Sequence, residues 1–464
     1  MQATFIKLLV LLLALGTSQA QAFDLLEAWQ SARTQDPVFG VARAAAEAGR
    51  TKGLQAQALE SPQVTANAGL GGVSNDNKIT DAQFSAPGMG AASGASFRTK
   101  TDAGLDLSWN VRAEYPLYDA ARSSSVNQLN KQAQLAEVQL SADEQQLMLR
   151  VAQTYFDTLL AEDTLATVKS QLVAVAKALE IAKARFKEGD AAIIETHESQ
   201  ARYDMLSAQE LEASSNLQLV RAALSDLTNN QDATLAHLPQ KVDLQRYTAG
   251  DLQAWLDRAR NSNHLLHLQQ LQQDIAHDEI GKHQAKYAPI LNLVAQAGGE
   301  RLNGLGANDA NLTNHQASLG LQLTIPLYTG GMRDAKYQEA LALEDKARNQ
   351  TDAVRQQAVR DARSAWLGVS VGQGKIKALE QAERSAEIKL DSTRLGHEVG
   401  DRTTLDVLNS EQELFNTRLA LYRTRYQVLL ALLNLSAAAG DLNEKRLDEV
   451  NQALITDKID KALN

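Results

Sequence analysis

Cysteine is absent from all 464 residues. That removes disulfides, thiolate metal ligands and thiol nucleophiles together, and it excludes a lipid anchor on an N-terminal cysteine. Long apolar runs are missing too, apart from one at the start. Lys7, the apolar stretch Leu8 to Leu15 and Ala20-Gln21-Ala22 have the layout of a secretory signal peptide, with maturation expected near Phe23. That apolar stretch is shorter than the roughly 20 residues a helix needs to cross a bilayer, so any membrane insertion by this chain is not helical. Prolines number only 7 and aromatic residues make up 5 %, while Ala, Leu and Gln abound. Such a mix suits long helices with narrow seams rather than a compact single core. The formal charge of −10 is spread along the chain and argues against nucleic acid as a partner.

What is present is written twice. Glu27-Ala28-Trp29 with Ala32-Arg33 returns as Gln253-Ala254-Trp255 with Ala259-Arg260, and Ser61-Pro62 and Gly71-Gly72 return as Ala288-Pro289 and Gly298-Gly299. Tyr115-Pro116-Leu117-Tyr118 returns as Ile325-Pro326-Leu327-Tyr328, and Gly189-Asp190 as Gly400-Asp401. The copies slip mainly where the first carries extra Gly, Ser and Ala, which reads as an insertion in a surface loop. The expected organisation is a leader over 1–22, a first repeat over 23–240, a second over 241–442 and a polar C-terminal tail over 443–464, partly disordered.

Each copy changes period along its length. From Asp119 to about Phe186 there is neither proline nor glycine, a run of roughly 100 Å if it is one helix. Leu165, Val168, Leu172, Val175, Leu179, Ala182 and Phe186 repeat with the three-four spacing of a coiled coil. After Gly189-Asp190 the pattern returns through Ala213, Leu217, Val220, Leu224 and Leu227, an antiparallel helical hairpin. The second copy leads out through Ile376, Leu379, Ala386, Leu390 and Thr393, a weaker seam. It turns at Gly400-Asp401 and comes back through Phe415, Leu419, Tyr422, Tyr426, Leu429 and Leu433. Gly368, Gly372 and Gly374 on its outbound helix mark either a bend or close helix contact, or are simply tolerated.

Two segments have period two. Ala103, Leu105, Leu107, Trp109 and Val111 alternate with Gly104, Asp106, Ser108, Asn110 and Arg112; Ala317, Leu319, Leu321, Leu323 and Ile325 alternate with Gln316, Ser318, Gly320, Gln322 and Thr324. With partners upstream they predict two β-hairpins, strands at about 63–73 and 99–115, then 290–300 and 315–325. About ten residues suffices for a tilted strand to cross a bilayer. Four strands cannot bury an apolar face without a second sheet, nor close alone into a barrel, so the pattern predicts strands shared between chains. Pro62, Pro116, Pro289 and Pro326 stand where helical and strand periods meet. Tyr115, Tyr118, Tyr287 and Tyr328 lie at the same level, either as a membrane-interface girdle or as packing at the joint.

This duplicated arrangement resembles the TolC-type outer-membrane efflux family over essentially the whole mature chain. Its most specific marks are Val399-Gly400-Asp401-Arg402-Thr403-Thr404-Leu405-Asp406-Val407-Leu408-Asn409, similar to the family's second tip motif, and Gly189-Asp190-Ala191-Ala192-Ile193-Ile194-Glu195, similar to the first. The resemblance implies a mainly α fold with a small β part. Three chains would form a twelve-stranded outer-membrane barrel joined to a periplasmic helical tunnel. It implies a homotrimer in outer-membrane lipid that works with an inner-membrane transporter and a periplasmic adaptor, exporting proteins by type I secretion or small toxic compounds. Asp406 matches a family acid that forms a carboxylate ring at the pore constriction; Asn409 stands where a second acid is common. Arg402 and Glu195 match a pair tying the inner hairpin to the outer. Arg185, Phe186, Gly189, Arg394 and Gly400 surround the tips where an adaptor would dock.

Other motifs lead nowhere. His264 and His267 share a helical face without a third ligand at a recognised spacing, so no metal is expected. Gly372-Gln373-Gly374-Lys375 lacks the full phosphate-loop pattern, and Asn75-Asp76-Asn77 has no calcium-loop continuation. No cofactor and no catalytic constellation are expected, hence no enzyme. The competing class is a periplasmic coiled-coil scaffold or adaptor that never enters a membrane.

Overall fold

A computed structural model describes residues 22–455 except 89, 191, 232, 240, 241, 285, 286 and 305–310. The leader over 1–21, Ala191 of the first tip motif and the tail beyond 455 lie outside these residues. In chain order come α1 (Leu25–Gln35), α2 (Pro37–Leu59), β1 (Gln63–Ala86), β2 (Gly90–Tyr118), α3 (Ala120–Glu188), α4 (Ile193–Thr228), α5 (Leu252–Ser262) and α6 (His264–Gln284). Then follow β3 (Ile290–Gly304), β4 (Leu312–Thr324), α7 (Met332–Glu398), α8 (Thr404–Ala438) and α9 (Glu444–Ile455). The two repeats are visible in their caps. Asp24 accepts from Glu27 N at 2.8 Å to open α1, and Asp251 accepts from Ala254 N at 3.0 Å to open α5. Each helix then buries its tryptophan, Trp29 or Trp255, with an arginine, Arg33 or Arg258, over the ring.

The chain divides into two compact units, and they are not the repeats. One takes residues up to Glu47, Ala136–Gln270 and everything from Asn349; the other takes Ala48–Leu135 and Leu271–Arg348. Each unit thus draws on both copies, because both are built from elements that pair across the duplication.

The second unit holds a single antiparallel sheet in the order β1-β2-β3-β4. Leu70 pairs with Leu107, Trp109 with Gly299, and Leu293 with Leu321. The repeated glycine pairs have unequal roles. A Cβ on Gly299 would lie 2.6 Å from Trp109 Nε1 and one on Gly298 2.8 Å from the Trp109 carbonyl, whereas Gly71 and Gly72 face open space. One face of the sheet carries Leu105, Leu107, Trp109, Val111, Leu319, Leu321 and Leu323, and among the described residues nothing covers it: Leu319 is 74 % exposed and Leu321 65 %. Pro62 and Pro289 immediately precede β1 and β3, Pro326 follows β4, and Pro116 stands near the end of β2 beside a register shift. Tyr115, Tyr118, Tyr287 and Tyr328 are exposed around these ends.

Two expectations need correction here. The Gly/Ser/Ala insertion is not a loop. β1 and β2 run on past 73 and 99 and stay paired to Ala86↔Gly90, with register shifts at Val73/Asn75, Ile79/Ala82 and Ala82/Phe84. Backbone pairing needs no apolar side chain, so a small-residue stretch makes strand without the alternating signal. Nor is the part of the expected tail over 444–455 without structure. α9 occupies Glu444–Ile455, and its Leu447, Val450, Ala453 and Leu454 join the main core with Trp29, Tyr155 and Leu429.

α3 and α4 form one hairpin, α7 and α8 the other; α3 and α7 each begin in the second unit and continue in the first. α3 is a single helix of 69 residues and α7 one of 67. Val168, Val175, Leu179 and Ala182 of the heptad are buried, but Phe186 at its end is exposed. The glycines of α7 do not break it. A Cβ on Gly368 would lie 3.0 Å from Ala431 Cβ, and one on Gly372 would overlap Val428 Cγ2, so these two let α7 approach α8, while Gly374 meets nothing.

A polar clasp joins α3, α4, α8 and the segment after α4. His237 Nε2 lies 2.8 Å from Glu162 and its Nδ1 3.6 Å from Asp163; Arg221 pairs with Glu162 at 2.5 Å, and Tyr426 Oη donates to Asp163 at 2.6 Å. The Asp163 and Glu162 carboxylates raise the His237 pKa from 6.5 to about 9. A raised histidine pKa contributes stability that is complete below its unfolded value and lost as pH rises through the folded one. The melting temperature should therefore fall between about pH 6.5 and 9 more steeply in the wild type than in His237→Gln. Parallel curves for the two proteins would contradict this.

Candidate functional site

The two hairpin turns are built alike. A helix that ends must satisfy its last carbonyls, and a left-handed glycine allows the chain to fold back over them. Asp190 N donates to Arg185 O at 2.8 Å and Gly189 N to Phe186 O at 3.1 Å; Asp401 N donates to Gly396 O at 2.8 Å and Gly400 N to His397 O at 3.1 Å. Gly189 and Gly400 sit at φ +85° and +81°, and a Cβ on either would meet nothing within 4 Å. Both are required by the turns, and both leave the tip surface open.

The return helices start differently. α4 begins after Ala192, which has no side-chain acceptor, whereas α8 begins with a capping box. Thr403 Oγ1 accepts from Asp406 N at 3.1 Å, while the Asp406 carboxylate accepts from Thr403 N at 3.0 Å and from Thr403 Oγ1 at 2.9 Å. These bonds hold the Asp406 carboxyl below its ordinary value, with Arg402 adding to the effect. Asp406 thus stays ionised well into the acid range. Asn409 lies one turn further along α8 and is exposed.

Within one chain the structure does not bring Arg402 and Glu195 together. Arg402 lies 4.0 Å from Asp401, and Glu195 instead accepts from Thr404 Oγ1 at 3.1 Å, a hydroxyl that also meets His397 Nε2 at 3.2 Å. The tie between the hairpins therefore runs Glu195, Thr404, His397, because Thr404 at the first position of α8 faces α4. Arg185 is half-buried; Arg394 pairs with the buried Glu411 at 2.7 Å. Thr404 and Thr403 were not expected as site residues, although the Thr403-x-x-Asp406 spacing is a capping signature legible in any sequence.

Above the tips the two hairpins are held by different chemistry. The first relies on Val175 and Leu206, with Leu408 from α8 completing the cluster. The second has a small apolar cluster of Ala386, Leu390 and Leu414 and a ladder of ion pairs: Glu380 with Arg425, Glu383 and Glu387 with Arg418, Glu413 with Lys389. Gln412 links the hairpins, accepting from Gln171 at 2.8 Å and Arg202 at 2.6 Å. The pairs of Arg418 and Lys389 are partly exposed and contribute only about 0–1 kcal/mol each, whereas Arg425 is buried.

Among the described residues no cluster of three or more His, Asp or Glu side chains is placed to hold a metal, and no helix is long and apolar enough to cross a membrane. Duplicated long helical hairpins together with a four-stranded sheet whose apolar face is uncovered define a TolC-like fold. The model of the outer membrane efflux protein family matches residues 28–230 and 255–441. The chain is 31 % identical over 349 residues to outer membrane protein TolC of Vibrio cholerae, covering 75 % of this chain and 80 % of that one. It is 29 % identical over 460 residues to TolC of Escherichia coli, covering 97 % and 89 %. Against the alkaline protease secretion protein AprF of Pseudomonas aeruginosa it is 27 % identical over 440 residues, covering 94 % and 89 %. Among solved structures, the outer membrane protein VceC of Vibrio cholerae superposes with a TM-score of 0.71 at 20 % identity, covering 91 % of this chain and 97 % of that one. The Campylobacter jejuni CmeC outer membrane channel gives 0.71 at 14 % identity, covering 92 % and 89 %.

The chain belongs to the outer membrane efflux protein family. It is an outer-membrane channel protein of efflux and secretion, not an enzyme.

Proposed function

We propose that three copies of this chain form a passive exit duct through the outer membrane. The observation that carries the reading is the uncovered apolar face of a sheet whose β1 and β4 edges are both unpaired among the described residues. Three such sheets give twelve strands, enough to close a barrel that turns this face to lipid and leaves no edge. The long hairpins then pack as coiled coils around a periplasmic tunnel, with their tips toward the cell interior. A periplasmic adaptor engages the tips around Arg185, Phe186, Gly189, Arg394 and Gly400, and an inner-membrane transporter supplies the energy. The cargo is a protein, as in type I secretion, or a small toxic compound. AprF carries protease secretion in its name, which supports the first.

At the tips, Asp406 and Asn409 from three chains line the constriction. Arg402 and Glu195 act across the hairpins, Glu195 through Thr404 within a chain and Arg402 toward a neighbouring copy. Opening exchanges the ion-pair ladder of the second hairpin for other contacts. Because Asp406 also caps α8, removing its side chain would disturb the tip as well as the charge. Asp406→Asn keeps an acceptor for Thr403 N and removes only the charge. In planar bilayers the wild type is expected to give small cation-selective openings, and Asp406→Asn to lose much of that selectivity. Unchanged selectivity would remove Asp406 from the constriction.

A further inference from the structure

The seam between α4 and α8 repeats above the tips. Both helices run away from their turns, and Glu195 near the start of α4 meets Thr404 at the start of α8. Arg202 stands seven residues beyond Glu195, and Glu411 seven beyond Thr404. Seven residues are nearly two helical turns, about 10 Å of rise, so the same two faces meet again at this level. Here the seam is charged. Arg202 donates to Gln412 Oε1 at 2.6 Å, and Gln171 of α3 donates to the same oxygen at 2.8 Å. The neighbour of Gln412 in the chain, Glu411, is only 5 % exposed.

Glu411 lies within the influence of two cations, one from each hairpin. Arg394 of α7 donates to its Oε1 at 2.7 Å, within the second hairpin. Arg202 belongs to the first; burial lowers its pKa, and the Glu411 charge is what acts against that. Glu198, one turn earlier on α4, does not enter. Glu413, on the exposed side of α8, is held by Lys389 at 2.5 Å. Both members of the cross-seam pair have an atom to spare. Glu411 Oε2 and Arg202 Nε are buried and have no hydrogen-bond partner among the described residues. A half-satisfied acid and a half-satisfied base on the two sides of one seam call for a physical reason.

We propose that Glu411 is an acid shared between the hairpins: it alternates between Arg394 on its own hairpin and Arg202 on the other, and the Arg202 arrangement is a second tie that closes the seam above the tips. The spare atoms are the ones this arrangement uses, since Arg202 Nε and Glu411 Oε2 become partners when the carboxylate leaves Arg394. Arg394 is half exposed and competes for the same carboxylate, so it sets how much of Glu411 is left for the seam. Losing Arg394 therefore tightens the seam. Losing Arg202 or the Glu411 charge loosens it, because each leaves a buried charge without its counterpart. The consequence for gating rests on the reading of these hairpins as the walls of an exit duct.

The test uses the full mature protein in detergent. The chain has no cysteine, so Glu195→Cys/Thr404→Cys sets a single thiol pair across the seam, where the native side chains meet at 3.1 Å. Its disulfide equilibrium with glutathione reads how closely the hairpins abut. Added to this parent, Arg202→Gln and Glu411→Gln are each expected to lower the equilibrium constant at least threefold, and Arg394→Gln to raise it at least twofold. Arg202→Lys, which keeps the charge, should lower it less than Arg202→Gln does. With Glu411→Gln already present, Arg394→Gln should change nothing. Arg202→Gln, at the less buried residue, carries the test if Glu411→Gln fails to give the helical circular dichroism of the parent. Three substitutions that all lower the constant would mean general loosening and overturn the inference. No change in any of them overturns it too, as does an Arg394→Gln effect that survives Glu411→Gln. Conductance of the same proteins in planar bilayers reads the duct separately. The expected thiol shifts in a protein that forms no pore leave the tie standing and overturn the duct, whereas a pore with an unchanged thiol equilibrium overturns the tie alone.

Discussion

Leu319→Arg is expected to abolish most insertion of the refolded protein into lipid vesicles, while Ser318→Arg, one residue away, leaves it unchanged. Leu319 pairs with Ala295, which lies across from Ala113 near the middle of the apolar band, and its side chain is 74 % exposed in the single chain. An arginine on the lipid face near the bilayer midplane costs about 2–4 kcal/mol, and a trimer carries the change three times. Ser318 points to the polar face, where a barrel interior accepts charge. In a soluble scaffold the ranking would vanish, since a substitution at so exposed a site changes stability by no more than about 0.5 kcal/mol. Insertion measured by protection from added protease therefore separates the two classes. Equal insertion of both variants would contradict the lipid-facing assignment.

Ending the chain at Leu442 should be nearly as severe. α9 places Leu447, Val450 and Leu454 in the main core, and Asn451 Oδ1 accepts from Leu25 N at 3.0 Å, so it holds the start of α1 as well. Losing the burial that three large apolar side chains provide to the core costs about 1.5–3 kcal/mol each, and the orphaned amide adds about 1–3 kcal/mol. The sum approaches the whole stability of an ordinary domain. Urea unfolding followed by helical circular dichroism should show the midpoint fall sharply or the transition disappear. A truncated protein with an unchanged midpoint would mean that α9 docks without supporting the core.

The ease of reading differed along the chain for physical reasons. α3 was legible because a run free of proline and glycine with a three-four apolar spacing admits little else, and the buried residues Val168, Val175, Leu179 and Ala182 are the heptad positions themselves. β2 and β4 of the apolar band were legible because one face is apolar and the other polar from Ala103 to Arg112 and from Gln316 to Ile325. The ribbon past Val73 was not. Its small and polar residues carry no alternation, and its pairing is made by backbone and set by a bulge that no local pattern announces. α9 could have been found: Leu447, Val450 and Leu454 have helical spacing, but charged neighbours hide them from a reading by composition. At the tips the glycine turns followed from residue type alone, whereas the Glu195–Thr404 contact depends on how two hairpins abut, which spacing along one chain does not encode.

In the proposed duct, four strands per chain close into a barrel only when three chains contribute. Native mass spectrometry of the detergent-extracted protein counts those chains directly. Three copies per particle, with aggregation once detergent is removed, is the predicted result. A single chain that remains monodisperse in detergent-free buffer would contradict it.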